Sequence, residues 1–316
     1  MNDPRPGWVS RAFEKSMTWF DGAPPALAGR LARVRARVAS AQGLSSMEGA
    51  LTAPFATPFL ALIEAHRTDL GLPDEGAVDA VGEGTLAIYF YLRLQDDVVD
   101  EPADFDPSFV YAAEIFAGAS AEAFAIATGG RPAFWSLRRR ILDELAAASA
   151  WEIDTYRKLD PVEAGALAEE HAAQLGSKLT PVAIPLAALA SAAGRDGDAG
   201  WILPFARSLG AALQINNDLL NARDDHTAGR LTPSLAALYS GGRITPESEA
   251  HRVWPALAGD AALGRMTRAA RAFLEAAIAC AQAAGAPAVA GVAAAQLPAL
   301  EQIAPRLLRL TLGVRP

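Results

Sequence analysis

Residues 77–100 read AVDAVGEGTLAIYFYLRLQDDVVD, a run of helical length with no proline. Apolar residues leave little polar face in the middle of this run, which is typical of a helix buried on several sides. The run closes in four carboxylates between positions 96 and 101. The sequence therefore predicts a central helix with an acidic C-terminal end.

A second run, PFARSLGAALQINNDLLNARDD at 204–225, has the same character. Its first half is apolar, and oxygen-bearing side chains gather near its end. Asn217, Asn221 and Asp225 follow at spacings of four, so they are predicted to stack on one helical face and to hold a single cation from one side.

The acidic end of the first run is unfavourable without a cation. Asp96 and Asp100 face the same way on a helix, and like charges at this spacing repel. They also oppose the negative end of the helix dipole. Magnesium takes carboxylate and phosphate oxygens as ligands, so a magnesium site accounts for the cluster. A solvated acidic helix end is the competing interpretation, and a second such end in the same chain favours the metal.

Composition indicates a single compact domain over residues 1–316. The chain is 51% hydrophobic and 20% charged, and it is rich in alanine, the strongest helix former. Proline and glycine punctuation separates about ten segments of helical length, and no repeat or linker divides them. We expect an all-α, single-domain helical bundle. The single Cys280 excludes an internal disulfide, and the four histidines form no metal-binding motif.

The charge and the ends of the sequence limit the partners. A net charge of −8 gives no reason to bind nucleic acid. Residues 1–20 carry no secretory signal, and the uncharged stretch 276–300 is interpreted as two helices meeting at a turn over 285–287. A cytoplasmic protein without a transmembrane segment is expected.

These motifs resemble those of the class I isoprenoid synthases, over roughly residues 75–240. DDVVD at 96–100 resembles the aspartate-rich first motif of that superfamily. The stretch 208–235 resembles the second-motif region of trans-polyprenyl diphosphate synthases, including the glutamine before the motif and the Gly229-Arg230 pair after it. Lys178 stands where that family has a diphosphate-binding lysine.

The resemblance implies the isoprenoid synthase fold with a central apolar cavity, a prenyl diphosphate substrate and, as one option, a homodimer. It implies three Mg²⁺ ions with bound diphosphate, with Mn²⁺ as an alternative metal. The implied catalytic aspartates are Asp96, Asp97 and Asp100. The implied metal ligands are Asp96, Asp100, Asn217, Asn221 and Asp225. The implied diphosphate contacts are Lys178, Arg230 and Gln214.

Three departures from the family separate the functional hypotheses. The chain lacks a GGKRxRP-like segment, residues 101–128 contain no Arg or Lys, and asparagines replace aspartates in the second motif. The first hypothesis is therefore a terpene cyclase, which ionises one allylic diphosphate to give a hydrocarbon or alcohol. The alternatives are a trans-prenyltransferase, which elongates or couples prenyl chains, and a catalytically silent partner subunit. The candidate cations for a second substrate are Arg30, Arg33, Arg35 and Arg37.

Two local features complete the expectations for the cavity. Three aromatic residues precede the first motif, Tyr89, Phe90 and Tyr91. At least two of them are predicted to belong to the hydrophobic core. The alternative is that they present an aromatic face that stabilises a carbocation. Pro181 and Pro185 are predicted to break or bend the helix after Lys178, because proline lacks the backbone N–H and clashes one turn back.

Overall fold

The structure is a computed structural model that describes residues 7–22, 24–29, 31–32, 57–73, 75–100 and 109–311. Within these ranges, the backbone alone is described at 57, 58, 96–100, 109, 310 and 311. Every regular element of the described residues is a helix. The α-helices are α1 (Gly7–Asp21), α2 (Thr57–Leu70), α3 (Glu75–Asp100), α4 (Phe109–Thr128), α5 (Pro132–Asp154), α6 (Pro161–Ala166), α7 (Ala168–Gly176), α8 (Ala183–Ala192), α9 (Ile202–Thr227), α10 (Pro233–Ser240), α11 (Val253–Ala258), α12 (Ala261–Ala283), α13 (Pro287–Ala294), α14 (Leu297–Glu301) and α15 (Ile303–Thr311). Short 3₁₀ segments occupy Tyr156–Lys158, Ser177–Val182, Asp196–Trp201 and Ala250–Arg252.

The helices predicted from the two long runs are confirmed. The run 77–100 lies in α3, and the run 204–225 lies in α9. The turn predicted within the apolar C-terminal stretch is also confirmed, because α12 ends at Ala283, Gly285 adopts a φ of 72°, and α13 begins at Pro287. Glycine adopts this left-handed conformation without the steric cost of a Cβ.

The chain divides into two compact units, residues 1–137 with 184–199 and residues 138–183 with 200–316. Each unit has its own buried apolar interior. A single domain over residues 1–316 and the central apolar cavity stay predictions.

In the first unit, α3 packs against α1, α2 and α4. Phe90 is fully buried, with ring centroids 5.3 Å from Phe20 and 5.2 Å from Phe116. Tyr89 and Tyr91 pack partly buried against the same cluster. The prediction of core for at least two of these three aromatic residues is thereby confirmed.

In the second unit, α9 packs against α7, α10, α12 and the 3₁₀ segment Ser177–Val182. Two glycines set the distance between α9 and the end of α7. A Cβ on Gly210 would lie 2.3 Å from the carbonyl oxygen of Gly176, and a Cβ on Gly176 would lie 2.4 Å from the backbone of Ala211. This close crossing places Lys178 beside α9.

The break predicted after Lys178 is confirmed. The backbone turns into a 3₁₀ segment that contains Pro181, and a regular α-helix resumes only at Ala183. Pro185 lies in the first turn of that new helix, where its missing N–H needs no intrahelical partner.

Two stretches of the described residues are long and apolar enough to cross a membrane, Val110–Thr128 and Ala168–Ala192. They are 39% and 78% buried within the protein, respectively. Two such helices are weak evidence for a membrane span, because core helices of this composition meet the same criteria.

Candidate functional site

The first acidic motif lies at the C-terminal end of α3. The helix extends to Asp100, so Asp96 and Asp100 lie about one helical turn apart, as predicted. The side chains of 96–100 fall outside the described residues, and Asp97 is among them. Their role as ligands therefore stays a prediction. The candidate cations for a second substrate also lie outside the described residues: Arg30, Arg33, Arg35 and Arg37.

The second motif has an exposed side and a buried side on α9. Asn217 and Asn221 are exposed, and the Asn221 amide donates a hydrogen bond to Asn217 Oδ1 at 2.8 Å. Asp225 is buried instead, because at about 100° per residue it has rotated about 80° from Asn217. The same rotation brings it onto the side of Gln214 and Asp218. The spacing predicted that Asn217, Asn221 and Asp225 share one helical face. In the structure these three residues span about 80° around the helix axis.

Asp218 is the most buried carboxyl group of the second motif, with 1% of its surface exposed. Its Oδ1 accepts a hydrogen bond from Gln214 Nε2 at 2.7 Å, and no donor of the described residues reaches its Oδ2. Burial raises the pKa of Asp218 well above its usual value, and the carboxylate of Asp225 raises it further. A cation at Oδ2 would reverse this shift, because it would favour the charged form.

Asp225 is held by Arg230 through the geometry of the helix end. Gly229 adopts a φ of 67°, and this turn lets the Arg230 N–H donate to the Asp225 carbonyl at 2.9 Å. The Gly229 N–H donates to the carbonyl of His226, which completes a Schellman motif. The Arg230 guanidinium then reaches Asp225 Oδ1 with Nε at 3.0 Å and Nη2 at 2.8 Å. The Gly229-Arg230 pair, which resembles the pair found in the family, thus caps the helix and also supplies a cation.

His226 ties the end of α9 to later parts of the chain. Its Nε2 donates to the Ser248 carbonyl at 2.6 Å, because a carbonyl can only accept. In the neutral ring Nδ1 is then an acceptor for the Tyr239 hydroxyl at 2.7 Å. Burial raises the pKa of Tyr239 to about 12, so this hydroxyl keeps its proton. Sequence reasoning did not identify His226.

Lys178 faces a carboxylate that sequence reasoning also missed. Its Nζ donates to Glu152 Oε2 at 2.7 Å, and Arg157 donates to Oε1 with Nη2 at 2.8 Å and Nε at 3.2 Å. Glu152 lies in the last turn of α5, and Arg157 lies in the following 3₁₀ turn. Burial raises the pKa of Glu152, but the Lys178 and Arg157 cations outweigh it and hold that pKa below its usual value. One ionised carboxylate therefore bridges two cations.

A buried aromatic group adjoins this carboxylate. The rings of Trp151, Tyr156 and His171 pack together with centroids 5.1–5.5 Å apart. Tyr156 is fully buried, and burial together with the nearby carboxylates of Asp218 and Glu152 raises its pKa. The aromatic group thus packs beside the Glu152 carboxylate, whereas residues 153–155 at the end of α5 are exposed.

These residues fit part of a magnesium site. Asp218 presents a buried carboxyl oxygen without a donor among the described residues, and Asp225 lies on the same side of α9. No group of three His, Cys, Asp or Glu side chains within the described residues is arranged to hold a metal on its own. Magnesium is often bound by one or two carboxylates together with substrate phosphates, so an incomplete protein cage suits this ion.

Comparison with known proteins identifies the fold. The sequence matches no protein-family model and no curated protein. A geranylgeranyl pyrophosphate synthetase from the archaeon Geoglobus acetivorans superposes with a TM-score of 0.60 at 15% identity, over 93% of this chain and 99% of that one. A polyprenyl synthase from Roseobacter denitrificans superposes with a TM-score of 0.57 at 17% identity, over 94% and 99%. A geranylgeranyl pyrophosphate synthetase from Pyrococcus horikoshii gives 0.58 at 14% identity, over 94% and 98%.

The chain therefore has the all-helical isoprenoid synthase fold of these solved structures. This confirms the all-α fold class that the sequence predicted.

Proposed function

We propose that this protein is an enzyme that binds a prenyl diphosphate with Mg²⁺ and cleaves the bond between its allylic carbon and the diphosphate. We further propose that it is a trans-prenyltransferase, which joins the resulting allylic group to a second isoprenoid unit. The observation that carries the proposal is the end of α9, where Asp218, Asp225 and Arg230 gather beside Lys178. The fold supports the proposal, because the similar solved structures are named as geranylgeranyl pyrophosphate or polyprenyl synthases. The superposition with this chain covers 98–99% of each of them.

The residues of the second unit have separable roles in this proposal. Lys178 and Arg230 bind diphosphate oxygens and stabilise the charge that develops on them when the allylic bond breaks. Asp218 and Asp225 supply oxygen ligands, with Asn217 and Asn221 as neutral ligands nearer the solvent. Mg²⁺, when bound, supplies Lewis-acid stabilisation of the leaving diphosphate. Asp96 and Asp100 contribute the ligands of the first motif. Three ions, a homodimer and a cytoplasmic location stay predictions.

A terpene cyclase is the second candidate, and specific features of the sequence favour it. Residues 101–128 contain no Arg or Lys, and no GGKRxRP-like segment is present. A second diphosphate needs cationic donors, whereas a cyclase binds only one. The comparisons favour the prenyltransferase over the cyclase, which the sequence had placed first.

Product analysis decides between these candidates. Purified protein with Mg²⁺ is incubated with geranyl, farnesyl or geranylgeranyl diphosphate, with and without isopentenyl diphosphate. The prenyltransferase predicts longer diphosphates only when isopentenyl diphosphate is added, or a coupled product from two allylic chains. A hydrocarbon or terpene alcohol from a single allylic substrate would establish the cyclase instead. No reaction with any substrate would favour the silent partner subunit.

A further inference from the structure

Asp225 and Arg230 have separate roles in the proposed function, yet their side chains bind each other in the structure. Nε and Nη2 of Arg230 both donate to Oδ1 of Asp225, at 3.0 Å and 2.8 Å. A guanidinium and a dication at one carboxylate repel each other. A metal that uses Asp225 and a diphosphate that uses this face of Arg230 therefore both compete with the ion pair.

One partner of the ion pair is held in the interior, and the other is free to rotate. The Asp225 side chain lies on α9 and is 11% exposed, whereas the Arg230 side chain is 35% exposed. The Arg230 backbone is held separately, since its N–H donates to the Asp225 carbonyl in the helix cap. The guanidinium can thus leave the carboxylate by rotation of its own side chain, without unwinding the end of α9.

The donors that face Asp225 also suit a phosphate group. Nε and Nη2 form the planar fork with which arginine binds carboxylates and phosphates alike. Within the described residues, Asp225 is the carboxylate that pairs with Arg230. A metal at Asp225 repels the guanidinium, and a diphosphate offers it an anion of higher charge. Both ligands thus favour the same movement of Arg230.

We propose that Arg230 is an internal substitute for the metal at Asp225 and transfers to the diphosphate when Mg²⁺ binds. The inference rests on the proposed function and adds an exchange that couples the two ligands. Metal binding releases the guanidinium for diphosphate. By linkage, a diphosphate that holds Arg230 leaves Asp225 to the metal and raises the affinity for Mg²⁺ by the same factor.

The chain contains two matched controls for this ion pair. Arg243 Nε lies 3.1 Å from Asp260 Oδ2, and the two side chains are 53% and 10% exposed. Arg243→Gln therefore removes a guanidinium from a similar pair that has no role in the proposed site. Asp224 is exposed and adjacent to Asp225 in the sequence. Asp224→Asn therefore removes the same charge from the neighbouring position and leaves the ion pair in place.

Calorimetric titration with inorganic pyrophosphate in the presence of a chelator tests one half of the exchange. Asp225→Asn is expected to bind pyrophosphate about five- to tenfold more tightly than the wild type, because the charge that competes for Arg230 is gone. Asp224→Asn is expected to change the affinity by less than about twofold, since solvent screens an exposed charge. Equal or weaker binding by Asp225→Asn, or no binding by either protein, would overturn the proposal. It would mean that Asp225 positions Arg230 for the diphosphate instead of competing for it.

Titration with Mn²⁺ in the absence of pyrophosphate tests the other half, with free Mn²⁺ followed by electron paramagnetic resonance. Arg230→Gln is expected to bind Mn²⁺ about five- to tenfold more tightly than the wild type, because the substitute cation is gone. Arg230→Lys keeps the charge without the fork and is expected to lie between the two. Arg243→Gln is expected to match the wild type. If Arg230→Gln binds Mn²⁺ no more tightly than the wild type, the exchange is wrong, and this result is available even if Asp225→Asn does not fold.

The proposed function and this inference fail in different ways. If the wild type converts no prenyl diphosphate but both changes in affinity are found, the exchange stands and the proposed function does not. If the wild type is active with Mg²⁺ and either change in affinity is absent, the exchange fails and the proposed function stands.

Discussion

Helices α3 and α9 are each 26 residues long, and each ends in a concentration of acidic and amide side chains, yet they handle that charge differently. At the end of α9 the protein supplies its own cations, because Arg230 binds Asp225 and Lys178 lies close enough to offset a part of the rise that burial causes in the pKa of Asp218. The last turn of α3 contains no basic residue, and none follows it in the sequence before position 131. The carboxylate of Asp225 at the α9 end is thus compensated by Arg230 from the turn that follows, whereas the nearest basic residue in the local sequence of the α3 end is Arg93, one helical turn before Asp97.

This difference makes the first motif the more demanding of the two. Four carboxylates within six positions repel one another, and the helix dipole adds to that cost. An external cation relieves the repulsion only when it is bound. We therefore expect turnover to be abolished when the metal or one of its ligands at the α3 end is removed. Substitutions at the α9 end are expected to reduce turnover by smaller, graded amounts.

The largest expected effect is that of Asp96→Asn. Removing one carboxylate from the first motif should lower the rate of diphosphate release by about 10³-fold, because a ligand that stabilises the leaving group is lost. Helix content by circular dichroism should not change. Asp79→Asn is the control on the same helix, since Asp79 pairs with Arg11 through its side chain. Turnover that persists after Asp96→Asn, or in the presence of a chelator, would contradict the metal site.

The long helices and the Glu152 bridge differ in how far the sequence could predict them. Helix α3, helix α9 and the break near Pro181 follow from local periodicity and from proline chemistry, so the sequence predicted them within two residues. The Glu152 bridge was not predictable in that way. Its partner Lys178 lies 26 positions later, and no local pattern joins the two.

The second motif shows why spacing alone was insufficient. Asn217 and Asp225 are two turns apart, and the helical twist carries Asp225 from the exposed side to the buried side. Had the rotation of about 80° between Asn217 and Asp225 been taken into account, the sequence would have indicated that Asp218 lies beside Asp225. The Schellman motif at Gly229 also had a signal, because glycine followed by a basic residue after a helix is a typical C-terminal cap.

The next largest effect distinguishes two adjacent acids at the end of α9. Asp225→Ala should lower turnover by about 10²-fold, because it removes a buried ligand and leaves Arg230 without this carboxylate. Asp224→Ala should lower it less than about threefold, since Asp224 is exposed and points about 100° away. Steady-state kinetics of both variants measure the difference. Equal losses would mean that the exposed side of α9, with Asn217, faces the substrate.

Glycines within α3 and α9, with one in α4 as a control, allow the packing of the helices to be compared. Gly210→Ala in α9 should lower the free energy of unfolding by about 2–3 kcal/mol, because its Cβ would lie 2.3 Å from a backbone oxygen of Gly176. Gly82→Ala in α3 should cost less, since its Cβ meets the side chain of Trp8 at 2.8 Å and a side chain can move. Gly118→Ala in α4 meets nothing within 4 Å and should be neutral or slightly stabilising. Urea denaturation gives all three values. A larger loss for Gly82→Ala than for Gly210→Ala would indicate that α3 is the more rigidly packed helix.

The smallest expected effect concerns the turn that brings Arg230 back to Asp225. Gly229→Ala places a Cβ at a φ of 67° and should cost about 1 kcal/mol of unfolding free energy. Gly71→Ala is matched to it, because Gly71 has a φ of 59° and its Cβ would also meet nothing within 4 Å. Both variants should lose similar stability by urea denaturation, but only Gly229→Ala should weaken pyrophosphate binding, since it alone displaces the Arg230 guanidinium. If the two variants bind pyrophosphate equally well, the Gly229 turn sets the stability of the α9 end and contributes nothing to its affinity for diphosphate.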